Sequence, residues 1–269
     1  MGIWKRPSGM SIVFVVLGTL LLLFLFAPPL KTIFSSSPGT LWTTFLEEDV
    51  YSSILLTISA ALTATLMGLL FGVPLAYFLA RHQFRGKRFL EAVIDVPIVI
   101  PHSAAGVALL FVFGSSFLGG KMFHAIGIDF FRTYAGVVIA MIFVSVPFLI
   151  DSAKEGFKAV DVRLEKVART LGASPWRSFF EISLPLAWRS IFSGSVLMWA
   201  RGLSEFGAIV IIAYSASFLG WNTKVVPILV ADRFDFGLEY AGPVAALAIL
   251  ISLVAFVALR TIAYRGEKA

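Results

Sequence analysis

Residues 52–80 read SSILLTISAALTATLMGLLFGVPLAYFLA, a run without a single charged side chain. A bilayer core of about 30 Å takes roughly 20 helical residues to cross, so this run is long enough to span it. Working outward with the same ruler finds five more: 10–30, 89–113 with His102 inside, 133–150, 186–214 with Arg201 and Glu205 inside, and 240–259. The runs are continuous rather than alternating, and a helix satisfies its own backbone hydrogen bonds in lipid, which favours helices over a barrel. The expected fold is all-α: one polytopic membrane domain of six spans over residues 1–269.

Composition agrees. The 269-residue chain is 58% hydrophobic and 14% charged, with a mean hydropathy of +0.90, so it lacks the polar shell of a soluble domain. Lys5 and Arg6 ahead of the first run would also suit a secretory signal. That run is long, however, and ends in Ala27-Pro28-Pro29 without a small-x-small cleavage site, so a retained span is expected. Flanking Lys and Arg divide sixteen to five, the minority being Lys31, Lys121, Arg132, Lys224 and Arg233. By the positive-inside rule both termini and the segment after the fourth run face the cytoplasm. The net charge of +6 is then read as topology and contact with anionic headgroups, not as nucleic-acid binding. With no cysteine, disulfides and thiolate metal sites are excluded.

The longest loop, about 154–185, is basic and broken. Asp161 is a suitable N-cap, and Leu164, Val167, Ala168 and Leu171 fall at i, i+3, i+4 and i+7, one apolar stripe on an otherwise charged helix. Gly172 suits the left-handed position that ends a helix, and Ser174-Pro175 suits the start of the next, from Trp176 to about Ser183. A DNA-binding helix-turn-helix is set aside because the tether between two spans is too short. Two readings stay open on spacing alone: an amphipathic helix lying on headgroups, or a docking helix whose stripe enters a partner's groove.

Residues 165–185 resemble the "EAA" loop of permease subunits of ABC importers, in which Glu-Ala-Ala is followed by three residues, Gly, nine residues, then Ile-x-Leu-Pro. Here the Gly is Gly172 and the end is Ile182-Ser183-Leu184-Pro185, at the same spacing; Lys166, Val167 and Ala168 occupy the Glu-Ala-Ala positions, with Glu165 just upstream. Asp95-Val-Pro-Ile-Val-Ile-Pro-His-Ser103 and Trp199-Ala-Arg-Gly-Leu-Ser-Glu-Phe-Gly-Ala208, together with Val160–Leu164 and Ala168–Gly172, resemble the molybdate/tungstate and sulfate branch, archaeal type. The resemblance implies a homodimeric permease in the cell membrane, two cytoplasmic ATPase subunits that hold ATP and magnesium, and an external oxyanion-binding protein. It also implies that Leu164, Glu165, Val167, Ala168, Leu171, Gly172, Ala173 and Ser174 couple to the ATPase.

Inside the runs, Arg201 and Glu205 are one turn apart and each costs about 2.5–3.5 kcal/mol at a helix centre, so they are expected to face the bundle interior. Two roles are open for them: a packing ion pair, or part of a polar girdle along a translocation path. Pro97 and Pro101 should kink or break the third run, placing His102 and Ser103 at the break as path or gate candidates. Gly114-Ser-Ser-Phe-Leu-Gly-Gly-Lys121 is not a phosphate loop, because the spacing is one residue too long and Met122 replaces the magnesium-binding hydroxyl. No Ser-His-Asp set or metal spacing points to catalysis, so no enzyme activity and no cofactor of its own are expected.

Overall fold

The computed structural model describes residues 9–265. Lys5, Arg6 and Lys268, which contribute to the expected orientation, lie outside the described residues. The chain is mostly helical: α1 Gly9–Phe34, α2 Pro38–Phe45, α3 Glu48–Arg81, α4 Lys87–Val99, α5 His102–Phe113, α6 Leu118–His124 and α7 Tyr134–Ala159. Then come α8 Val162–Thr170, α9 Pro175–Ser178, a π-helical turn Phe179–Ser183, α10 Leu184–Leu203, α11 Gly207–Ile212, α12 Val226–Phe234 and α13 Leu238–Arg265. A small antiparallel hairpin, β1 Ala216–Phe218 and β2 Trp221–Thr223, turns on Leu219-Gly220 between α11 and α12.

Among the described residues α1, α3, α7 and α13 are long and apolar enough to cross a membrane, and the α4–α5 pair makes a fifth if counted as one crossing. Two of the six expected runs are interrupted helices. The run 89–113 is broken where its prolines led one to expect: α4 and α5 meet at 116° around Ile100-Pro101, because Pro101 has no N–H to donate and its ring clashes with the preceding turn. The run 186–214 stops at Leu203 and resumes at Gly207; α10, with its 20 residues, is about 30 Å long, but Arg189 and Arg201 dilute its apolar character. The other four runs extend past their expected ends, the last of them, α13, running from Leu238 to Arg265. The first continues through Pro28 and Pro29 to Phe34, the second starts at Glu48, and α7 reaches Ala159, so residues 154–159 belong to a helix and not to the loop.

The core lies where α7 packs against α3 and α10. Small residues let these backbones approach: a Cβ on Gly68 would meet Met198 Sδ at 2.5 Å, one on Gly194 would meet Ser152 Cβ at 2.7 Å, and one on Gly156 would collide with Ser190 Cβ. Leu56, Leu79, Met141, Leu149, Phe157, Ile191 and Met198 fill the space between them. A smaller cluster of Val50, Ile54, Val226, Leu229 and Val244 joins α3 to α12 and α13. By contrast α1 has no buried residue and lies along α13.

Candidate functional site

The two helix breaks meet. α5 and α11 touch backbone to backbone, since a Cβ on Gly106 would lie 2.7 Å from the Ala208 carbonyl and one on Gly207 would lie 2.6 Å from His102 Cβ. Across this contact sits a small polar cluster. Arg201 Nη2 is 2.9 Å from Glu205 Oε2 and 2.8 Å from His102 Nε2, and His102 Nδ1 is 3.4 Å from Glu205 Oε2. The same Nη2 also lies 3.1 Å from His102 Nδ1, so the guanidinium faces the imidazole along the edge that holds both ring nitrogens. The second carboxylate oxygen, Oε1, accepts from the Ala208 N–H at 2.8 Å.

Glu205 is therefore not one turn further along the helix that carries Arg201, as the spacing suggested. It lies in the break and caps α11, whose first N–H groups have no partner within the helix and would otherwise be buried unpaired. The carboxylate is 1% exposed, and its charge is divided between Arg201 and the α11 terminus. Of the other candidates at the breaks, Pro101 is the residue that precedes α5, Pro97 is buried inside α4, and Ser103 is exposed and stands apart from the cluster. On the far side of α10 a cleft of about 1170 Å³ opens, walled by Leu30, Ile54, Trp199, Leu203, Phe206 and Phe256 among others. Its lining is apolar and unsuited to an anion.

At the α8 end of the bundle the local structure follows the sequence closely. Asp161 accepts from the Arg163 N–H at 2.9 Å, and Ser174 Oγ accepts from the Arg177 N–H at 3.1 Å with Pro175 in the first turn. α8 ends in a paired closure: the Gly172 N–H donates to the Arg169 carbonyl at 3.1 Å and the Ala173 N–H to the Ala168 carbonyl at 3.0 Å, with Gly172 at φ +93°. Leu164, Val167 and Leu171 are exposed, as are Val162 and Trp176 beside them, while Ala168 and Ala173 are half-buried.

Glu165 departs from the group in which the sequence placed it. It points inward, 8% exposed, and binds three residues on two other elements, α3 and the π turn. Arg81 at the end of α3 donates through Nε at 2.7 Å and Nη2 lies at 2.6 Å; Tyr77 Oη donates at 2.9 Å, and Ser183 Oγ from the π turn at 2.7 Å. Burial would raise the carboxyl's pKa, but the hydrogen bonds from Ser183, Tyr77 and Arg81 and the Arg81 charge outweigh it and hold the group below the usual carboxylate range. α8 thus has its acid inside and its apolar stripe outside, the reverse of an ordinary surface helix. Sequence reading missed Tyr77, Arg81 and Ser183; Arg81, closing a charge-free run, was the available signal. It also passed over Lys154, which lies 2.7 Å from Asp151 Oδ1 and 3.5 Å from Glu91 Oε1 between α7 and α4.

Residues 68–265 match the family described as the binding-protein-dependent transport system inner membrane component. The chain belongs to that family. It is 41% identical over 268 residues, 98% of its own length and 99% of the relative's, to the molybdate/tungstate transport system permease protein of Pyrococcus furiosus. It is 42% identical to the protein of the same name in Methanocaldococcus jannaschii, over 93% and 95% of the two chains. A probable sulfate transport system permease protein of Chlorella vulgaris is 35% identical over 80% of this chain and 81% of its own. In fold the permease is similar to a chain of a bacterial ABC transporter that imports alginate, with a TM-score of 0.68, 17% identity and coverage of 94% and 95%. It is a multi-pass membrane permease of the ABC importer type.

Proposed function

We propose that this permease forms the translocation path for molybdate or tungstate in an ATP-driven importer. The names of relatives that match it over nearly their whole length support the substrate, and the sulfate-named relatives match less of the chain at lower identity. The working unit is a homodimer with two cytoplasmic ATPase subunits and an external binding protein. ATP and magnesium sit on the ATPase, and this chain takes part by moving. Its helices make six crossings, with α10 among them, both termini and α8 cytoplasmic.

One observation carries the reading: α8 holds its acid against α3 and the π turn and leaves Leu164, Val167 and Leu171 bare. A groove on the ATPase that grips this stripe gains a lever, because Glu165 links α8 to Arg81 on α3 and to Ser183, which leads directly into α10. The far end of α10 carries Arg201 and the break at Glu205. Displacement of α8 is therefore transmitted along α10 to the place where α5 and α11 meet. Arg201 is already engaged by Glu205 and His102, so the path offers no strong anion trap. That suits a dianion delivered by a binding protein and released onward.

The test is reconstitution with the ATPase and binding protein in vesicles. Uptake of molybdate should require ATP, and Ala168→Arg should cut ATPase capture and uptake together. Overpacking of a fitted groove costs about 1–3 kcal/mol, roughly 5- to 150-fold in affinity. Wild-type assembly and uptake in that variant would remove α8 from the coupling role. A cysteine at Ser178 labelled from outside by an impermeant reagent would overturn the orientation.

A further inference from the structure

Between α3 and α4, at the α8 end of the bundle, the chain turns around a pocket of about 400 Å³ lined by Gln83, Gly86, Lys87, Arg88, Glu91 and Lys158. We infer that this pocket binds a phosphate group, either the headgroup of an anionic phospholipid or free phosphate. The inference holds whichever anion the permease carries.

Lys87 is the reason. The residue is only 8% exposed, yet among the described residues its ammonium has no carboxylate and no hydrogen-bond partner. Burying a lysine that deeply without a counter-charge is unfavourable unless its head reaches a polar space that can hold one. The pocket is that space. Arg88, next in sequence, is likewise without a partner among the described residues. Lys158 is 2.8 Å from Glu155, and the one acid in the lining, Glu91, is drawn toward Lys154 at 3.5 Å. The lining therefore has uncompensated positive charge.

The backbone adds to it. Gly86, at φ +90°, precedes the 13-residue α4 and supplies no side-chain cap; the Lys87 N–H donates to the Phe84 carbonyl at 3.3 Å, which leaves the Arg88 and Phe89 N–H groups for another acceptor, and the helix dipole favours a negative one. Phe89, Val93 and Val96 follow at i, i+4 and i+7 on α4, all exposed, and form an apolar strip beside the pocket on which acyl chains can lie. Basic pockets between membrane helices are suited to anionic headgroups for these reasons.

The test uses the full-length permease in uncharged detergent and reads the thermal midpoint. Phosphatidylglycerol, phosphatidylcholine and inorganic phosphate are added separately, to wild type and to Lys87→Gln and Arg88→Gln. Phosphatidylglycerol should raise the wild-type midpoint by several degrees, phosphatidylcholine by much less, Lys87→Gln should lose most of the gain and Arg88→Gln part of it. An equal Lys87-dependent gain from phosphate alone identifies free anion as the source; a gain from phosphatidylglycerol only identifies the headgroup. Without additive Lys87→Gln should be at least as stable as wild type, since the ammonium it removes has no counter-charge among the described residues. If it fails to fold, Arg88→Gln, altered at an exposed side chain, carries the comparison. No gain from either compound, or a gain equal in wild type and the variants, overturns the inference.

Discussion

Two buried glutamates, Glu165 and Glu205, are each paired with an arginine, and the difference between them separates a joint from a local repair. Glu165 is held by Arg81, Tyr77 and Ser183, so its carboxylate ties α8 to α3 and to the π turn before α10. Glu205 takes its partners mostly from its own neighbourhood: Arg201 before it and the Ala208 N–H after it, with His102 at 3.4 Å as the one contact from another element. The first pair joins elements that are far apart in sequence, and in the proposed mechanism it is the link that carries motion between them. The second keeps a broken helix satisfied in lipid, where an open backbone group would be costly.

The largest effect should come from cutting the joint. Glu165→Leu leaves Arg81 buried without its acid and should cost about 3–5 kcal/mol, read as a fall in thermal midpoint of the detergent-purified permease. Arg81→Met together with Glu165→Leu should regain much of that stability, yet ATP hydrolysis should no longer drive uptake, because the link from α8 to α3 is gone. A double variant that still transports normally would break the comparison.

Next comes Arg201→Met, at about 1.5–3 kcal/mol, smaller because Glu205 keeps the Ala208 N–H and the histidine. Full recovery on adding Glu205→Met is not expected, since methionine cannot cap α11. Glu205→Gln in its place keeps an acceptor and should recover more. Equal recovery by the two would mean that the cap at Ala208 carries little weight.

What was legible in the sequence follows from range. The long runs that form α1, α3, α7 and α13, the N-caps of α8 and α9, and the turn at Gly172 depend on residues a few positions apart, and local rules read them. The breaks were half legible: the Pro97 and Pro101 spacing announced one, whereas nothing in Ser204-Glu205-Phe206 distinguishes a cap from a helical ion pair until α5 is packed against α11. The partners of Glu165 lie 84, 88 and 18 residues away, so its inward orientation is a property of the assembled bundle. Outside the spans, α2, α6, α12 and the hairpin are too short or too polar for a span ruler to notice.

Gly172→Val tests whether the joint alone orients α8. At φ +93° a side chain costs about 1–2 kcal/mol, and a β-branched one resists further. If Glu165 fixes the helix and Gly172 only lets the chain leave it, the variant should keep the Glu165 contacts and lose ATPase capture several-fold, measured by pull-down, as Trp176 and the following turn are displaced. An unchanged pull-down would assign the geometry to Glu165 entirely.

The smallest effect sharpens the comparison through pH. Ser183→Ala removes one of the donors to Glu165 from a fully buried position and should cost about 0.5–1.5 kcal/mol, because Arg81 and Tyr77 remain. The carboxyl in the folded protein sits below its ordinary range, so its contribution to stability is complete above about pH 4.3, the unfolded glutamate value, and is lost as pH falls through the lower folded value. Losing the Ser183 donor moves the folded value up toward the unfolded one. The gap in thermal midpoint between wild type and Ser183→Ala should therefore be constant at neutral pH and narrow under acid, once both carboxyls are protonated. Glu205 shares none of these partners, so a variant at Arg201 should not change this narrowing. If the Ser183→Ala gap stays constant into acid, the hydrogen bond to Glu165 is not what the serine contributes, and the joint reduces to Arg81 and Tyr77.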